Sequence, residues 1–432
     1  MSPSTRRDFI KSTAVAAAGA LTAAQARKVH GANERLRVGF IGVGNRGGQL
    51  LERTLPNEDV EVAVLCDVYQ PFLDEWSAKV GEGVATAKDF REVLDRDDLD
   101  AVFISTPDHW HALQTILACQ AGKDVYVEKP LSYTVVEGQK MIAAAREHER
   151  VVQSGLHRRS SPMYADLAKY IQSDSIGKVT LGRAYRLSNM FPDGFGSAPD
   201  SDPPETLDWN MWLGPRPYRQ YNPNIAPYKF RWWKDYSSQL GNWGVHYFDL
   251  IRWLVGEEAP VSVVALGGKF AVQDDRTIPD TLEVIYEFAS GRLLVFGQFE
   301  ANQHPMFPGA EIELRGTQGT LFAGGGGYKV VPEKGGQFQS NDPRMEPVEV
   351  KSQDGDVTAT HIRNFLDCVK SRNRPNSDVA EAHLSTVFSH LGNIALETRS
   401  RIEWDAENQR IVGNEEANKL LHYSYREPWE LA

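Results

Sequence analysis

The chain has 432 residues, 41% hydrophobic and 24% charged, which is enough apolar material for two ordinary globular domains and argues against a disordered or fibrous polymer. Its formal net charge of −11 and the lack of any long Lys/Arg run argue against a nucleic-acid partner, because neutralising phosphates takes a basic face. A small-molecule partner fits that balance better.

Residues 1–26 read as an address rather than as structure. Thr5-Arg6-Arg7-Asp8-Phe9-Ile10-Lys11 precedes a mild apolar run from Ser12 to Ala24, and Ala24-Gln25-Ala26 supplies a small-x-small cleavage site, an order that resembles a twin-arginine export signal. The apolar run has thirteen residues, against the roughly 20 that a membrane-spanning helix requires. The expectation is therefore a periplasmic or otherwise exported protein with no stable membrane insertion after cleavage. Cys66, Cys119 and Cys368 lie far apart without CxxC spacing, so they are expected to be buried fillers, with neither a disulfide framework nor a metal site.

From Leu36 short β-branched runs alternate with helix-period segments, the pattern of a parallel sheet covered by helices. Strands are predicted at Leu36–Ile41, Val60–Cys66, Ala101–Thr106, Val125–Val127 and Val151–Gln153, with helices at His109–Ala121 and Val135–Glu149 among the segments between them. Residues 36–156 are thus expected to form a doubly wound α/β domain of the Rossmann type. Residues 157–432 are expected to form an α+β domain with a large open, mainly antiparallel sheet. Leu282, Val284, Tyr286 and Phe288 alternate with Glu283, Ile285 and Glu287, and a turn at Ser290-Gly291 leads into Leu293–Phe299. Helices over Thr360–Lys370 and Val379–Ser400 close that domain, the second with Ala382, Val387, Leu391, Ile394 and Ala395 as its buried stripe. Gly324–Gly327 and Glu333–Asp342 read as loops. An open sheet needs cover, so a homodimer or homotetramer is expected.

The first predicted strand runs directly into Gly42-Val43-Gly44-Asn45-Arg46-Gly47, and a helix over Gln49–Thr54 follows. Gly42 permits a tight turn, Gly44 lets backbone approach a pyrophosphate, Gly47 allows the helix to pack on the strand, the free amides of that helix N-terminus face the phosphates, and Asn45 and Arg46 of the loop are expected to bind the cofactor with them. Asp67 ends the second strand, twenty residues after Gly47, where it can accept from ribose hydroxyls. A carboxylate there repels a 2′-phosphate and no Arg or Lys follows in Val68-Tyr69-Gln70, so NAD is expected as cofactor in preference to NADP.

Two further stretches, Ser105-Thr106-Pro107-Asp108-His109-Trp110-His111 and Glu128-Lys129-Pro130, stand at the ends of the predicted strands Ala101–Thr106 and Val125–Val127. With the glycine loop they make the chain after residue 35 resemble the Gfo/Idh/MocA family of sugar-acting oxidoreductases. That resemblance implies that Lys129, in a loop shared with Glu128, stands beside the nicotinamide, and that Thr106, Pro107 and His109 line the cofactor. Gly241-Asn242-Trp243-Gly244-Val245-His246 resembles the family's catalytic segment, in which an acid sits four positions before a histidine; His246 matches the histidine, while Asn242 occupies the acid's place. The resemblance also implies that polar residues after the last strand, His157 or Arg158, reach substrate; a salt-bridge role at the domain junction is the alternative.

Dehydrogenating a secondary alcohol takes a base near neutrality, a task for which His246 is suited by its intrinsic pKa and Lys129 by burial. Tyr228, Trp232 and Trp243 belong to an aromatic-rich stretch that can stack on sugar rings or build a core. Outside the cytoplasm a nicotinamide has no supply, so it is expected to be loaded before export and kept bound. Three functions stay open on these residues: net oxidation of a sugar hydroxyl, redox-assisted glycosidase or lyase chemistry through a transient 3-keto sugar, and a sugar or nucleotide sensor without catalysis.

Overall fold

The computed structural model describes residues 35–307 and 309–431; the expected export signal lies outside them. Buried runs of the first domain form β1 (Leu36–Ile41), β2 (Val60–Cys66), β3 (Ala85–Ala87), β4 (Ala101–Ile104), β5 (Asp124–Val127) and β6 (Val152–Ser154), with helices α1 (Asn45–Thr54), α2 (Gln70–Val80), α3 (Phe90–Leu94), α4 (Asp108–Gln120) and α5 (Val135–Glu147) between them. All neighbouring strands pair in parallel, in the order β3-β2-β1-β4-β5-β6. The chain reverses direction across the sheet between β1 and β4, which opens a crevice above their carboxyl ends. Both faces are covered, so the strands are largely apolar; Phe40 and Phe103 stack on one face with centroids 4.5 Å apart. The three-residue β3 escapes a pattern reading because Ala85-Thr86-Ala87 carries no apolar run.

After α6 (Pro162–Gln172) the second domain builds a ten-stranded sheet in the order β14-β13-β12-β11-β7-β10-β9-β8-β15-β16. Its strands are β7 (Val179–Leu187), β8 (Ser262–Gly268), β9 (Thr281–Glu287), β10 (Leu293–Phe299), β11 (Ile312–Gly316), β12 (Gly319–Gly324), β13 (Gly327–Pro332), β14 (Val348–Lys351), β15 (Ile402–Asp405) and β16 (Arg410–Val412). The helices are α7 (Trp209–Leu213), α8 (Val245–Val255), α9 (Val357–Ser371), α10 (Val379–Thr398) and α11 (Glu415–Lys419). The β9–β10 hairpin forms with Leu282, Val284 and Tyr286 buried and Glu283 and Ile285 exposed. The sheet is mixed, because β7 lies parallel to β10. Gly324–Gly327, expected as a loop, is instead the tight connection of the β12–β13 ladder, with Gly324 and Gly327 themselves paired.

One face of this sheet carries α6, α8 and α10 over a core that includes Phe248, Tyr286, Phe296 and Phe388. The other leaves Val264, Leu266 and Ile285 exposed, as a period-two strand must when one side lacks a covering layer. The three cysteines are free and buried. No helix among the described residues is long and apolar enough to cross a membrane.

Between β7 and α8 a long excursion, 188–239, packs an aromatic cluster of its own, including Trp209, Trp212, Phe230 and Tyr236. It is tied to the first domain by Asp208 donating its amide to Val68 O at 3.0 Å and Gln70 donating its amide to Thr206 O at 2.9 Å. Its base rests on a buried ionic cluster, in which Arg276 pairs with Asp274 at 2.7 Å and with Glu300, all three side chains being at most 2% exposed. Replacing Arg276 by methionine strands two carboxylates in that interior. Urea denaturation is expected to show a loss of about 3–5 kcal/mol.

Candidate active site

The crevice above β1 and β4 takes its shape from glycines. Gly42 turns with φ +84°, and a Cβ there would lie 2.8 Å from the backbone of Ser105 and Thr106. At Gly47 a Cβ would stand 2.0 Å from Gly42 O, so only hydrogen lets α1 sit this close to the loop. The helix starts at Gly44 with no side-chain cap and no acidic residue in its first turn, which leaves its leading amides available to an anion. Gly44 is also covered by the Phe72 ring, which a Cβ would approach to 2.8 Å. The Asp67 carboxylate accepts from the amides of Val43 and Tyr69, each at 2.9 Å, and keeps further lone pairs toward the cleft. Burial pushes its pKa up to about 6 in spite of those bonds.

These features fit a dinucleotide: a cradle that tolerates no side chain, an uncapped helix start for the diphosphate and a carboxylate at ribose distance along the strand edge. Asn45, Arg46, Thr106 and Pro107 line the same cleft, and the excursion roofs it with Met211, Trp212, Pro227, Tyr228, Phe230 and Arg231.

The cleft continues into a cavity of about 450 Å3 at the second domain. Lys129 reaches it from the loop after β5 and donates from Nζ to Asn242 O at 2.7 Å and Asn242 Oδ1 at 3.0 Å. Burial lowers its pKa to about 8, against the pull of Glu128 and Asp108. Glu128 is held below its ordinary value in spite of burial, chiefly by Arg46, whose Nε donates to it at 2.8 Å. Asn242 lies in a π-helical turn, Leu240–Gly244, that leads into α8. Such a widened turn presents residues away from regular helix positions, and here Asn242, Trp243 and His246 all face the cavity. The His246 and His157 rings are 5.4 Å apart. Tyr228 and Trp232 line the wall, with Trp232 Nε1 donating to Glu300 at 3.0 Å.

Three expectations need revision. His109 does not line the cofactor cleft: it is fully buried on the excursion side, with Nε2 against Trp212 O at 3.0 Å. Arg158 does not reach the cavity either, since it pairs with Glu311 at 2.5 Å and stacks on Tyr247. His246 is pushed well below the ordinary histidine range, by burial first and by Lys129 next, so at neutral pH it is an uncharged imidazole and a weak base. Arg186, Arg231 and Glu300, none of them singled out in the sequence, also face the cavity. An arginine at a strand end looks like ordinary surface charge until the strand is placed.

A family model described as the NAD-binding Rossmann fold of an oxidoreductase family matches residues 36–156, and its companion, the C-terminal alpha/beta domain of that family, matches residues 178–431. The chain belongs to the Gfo/Idh/MocA oxidoreductase family. Curated Gfo/Idh/MocA relatives include an alpha-N-acetylgalactosaminidase of Shewanella oneidensis, 34% identical over 172 residues, and a glycosyl hydrolase family 109 protein of Shewanella sp. strain ANA-3, 33% identical over 172 residues. Each match covers 34% of this chain and only 38% of the relative. Solved structures with the same fold include levoglucosan dehydrogenase with NADH and levoglucosan, 20% identical, covering 85% of this chain and 99% of that one at a TM-score of 0.64. Another is GenD2 from gentamicin A biosynthesis with NAD, 20% identical, covering 86% and 97% at a TM-score of 0.63. This Gfo/Idh/MocA chain thus carries the NAD-binding Rossmann domain of an oxidoreductase family.

Proposed function

We propose that this oxidoreductase acts on a secondary hydroxyl of a sugar or sugar derivative, transferring hydride to a nicotinamide that stays tightly held. The observation that carries the reading is Lys129. Its amine, depressed to about 8 and held by neutral carbonyl oxygens only, stands where the cofactor cleft opens into a polar cavity. When bound, NAD supplies the hydride acceptor. The uncapped start of α1, the glycine loop and Asp67 hold and orient it. Neutral Lys129 accepts the proton of the hydroxyl, and uncharged His246 positions that hydroxyl through a hydrogen bond. The roof built by the excursion excludes water and favours retention of the nucleotide.

A redox-neutral route is favoured by a different observation, the likeness of part of the chain to proteins named as glycosidases. In that route the same oxidation would yield a transient ketone that acidifies the neighbouring C–H; loss of that proton would expel the C1 substituent as an alcohol, water would add back at C1, and reduction of the ketone would restore the starting nucleotide. The two separate when intact protein is mixed with sugars and aryl glycosides. Net oxidation gives a lasting near-ultraviolet band of reduced nicotinamide, the redox-neutral route gives aglycone without one, and silence on both counts leaves only a sensor. The exposed apolar strand face supports a homodimer or homotetramer, to be weighed by sedimentation, and the Arg-Arg segment supports export.

Two variants bear on these roles. Asn242→Asp places a carboxylate at hydrogen-bond distance from Lys129 and stabilises its ammonium. The pH at which turnover reaches half its plateau is expected to rise from about 8 by ~1 unit or more, with activity at neutral pH falling accordingly. Asp67→Ala removes the charge that repels a 2′-phosphate. The preference for NAD over NADP in nucleotide-binding titrations is expected to shrink by about ten-fold or more.

A further inference from the structure

Among the described residues that line the cavity, Arg186 is a cation with neither an ion pair nor a side-chain hydrogen bond. Arg186 lies near the end of β7, on the same face as the buried Gly182 and Ala184, and so points toward α8 rather than toward the open side of the sheet. Its guanidinium carbon stands over the Trp243 ring, 3.7 Å from the centroid, a cation–π contact that holds the group at the cavity wall. Among the described residues Arg186 makes no ion pair and donates no hydrogen bond, and it lines the cavity beside His246 and Lys129. The acids around it are already engaged. Glu300 serves Arg276, Trp232 and Gln239; Glu128 serves Arg46; Asp108 accepts from Ser237 at 2.5 Å.

The cofactor cleft does not account for it either. Arg231 lines both the cofactor cleft and the cavity, whereas Arg186 lines the cavity alone. A stacked guanidinium with free donors is a receptor for a two-oxygen anion, and charge-assisted forks are the strong, geometrically selective kind of hydrogen bond.

Resting on the sugar-acting reading above, we propose that the substrate is an acidic sugar, whose oxyanion, a uronic carboxylate or a sulfate ester, is held by Arg186 while the reacting hydroxyl lies at Lys129 and His246. Arg186 is then the residue that sets specificity against neutral sugars.

Calorimetric titration of the NAD-loaded protein tests this without any turnover. The panel is a set of methyl glycosides in gluco, galacto and manno series, each as the neutral sugar, the uronide and the 6-sulfate. At low ionic strength at least one acidic member is expected to bind about 30-fold or more tightly than its neutral counterpart. That preference should vanish in Arg186→Gln and survive in part in Arg186→Lys, with nucleotide content unchanged in both. Whether the uronide or the sulfate wins identifies the anion. The proposal is overturned if neutral glycosides bind as well as acidic ones, if no acidic member binds, or if Arg186→Gln keeps the preference. Failure of the oxidoreductase reading shows separately, as a sugar that binds yet gives neither reduced nicotinamide nor release of its C1 substituent.

Discussion

Replacing Lys129 by methionine is expected to slow sugar oxidation by a factor of roughly a hundred to ten thousand, the usual yield of a positioned base, while leaving NAD bound. Methionine keeps most of the volume and removes only the amine. Because burial holds the folded-state pKa at about 8, below the ordinary lysine value, the neutral base accumulates as pH rises. Wild-type turnover should therefore climb through about pH 8 and level off above it, and the variant should lose that limb. The sign for stability is opposite to that for function. A lysine whose pKa is lowered by folding binds fewer protons in the native state, so wild-type stability rises with pH from about 8 toward the ordinary lysine value. Below pH 8 the buried ammonium costs stability, and Lys129→Met should melt at a higher temperature than wild type. A variant with normal turnover and a normal pH profile would remove Lys129 from the chemistry.

Gly47→Ala is expected to abolish nucleotide retention, with affinity for NAD reduced about a hundred-fold or more. The added methyl meets Gly42 O at 2.0 Å, and that carbonyl cannot retreat, because Gly42 donates its amide to Cys66 O at 2.8 Å and turns with φ +84°. The helix must move instead, and its amides leave the diphosphate position. Gly48→Ala makes a stringent control. It inserts the same methyl one residue on, against the side chain of Trp76 at 2.2 Å rather than against the loop. Both variants should lose stability, yet only Gly47→Ala should emerge from purification without nucleotide.

What the sequence made legible follows from how local each feature is. The Rossmann strands are short apolar runs bounded by turn residues, and the glycine loop, Asp67 and the Glu128-Lys129-Pro130 loop each lie at the end of such a run. Their chemistry can be placed once the strand order is known, since ligands sit beyond the carboxyl ends of a parallel sheet. The direction of β7 was not legible, because a period-two pattern carries no information about which strand becomes its neighbour. His109 and Arg158 fall in stretches that resemble site segments, but their side chains follow partners distant in sequence, Trp212 O and Glu311. The aromatic-rich stretch divides in the same way. Trp212, Tyr221, Trp233 and Tyr236 fill the core of the excursion, while Tyr228, Trp232 and Trp243 reach the cavity. The His246 pKa is not legible for a related reason, since a base suited to neutral pH in water loses that property when burial and a neighbouring lysine both oppose its charge.

Hydrogen transfer between sugar and nucleotide is the claim on which the functional account stands, and an isotope reads it directly. The NAD-loaded protein is mixed with substrate sugar carrying deuterium on its ring carbons and heat-quenched during turnover, and the released nucleotide is weighed. Reduced nicotinamide one deuterium heavier is the predicted result. Turnover of the labelled sugar with nucleotide that never carries the label would contradict the account.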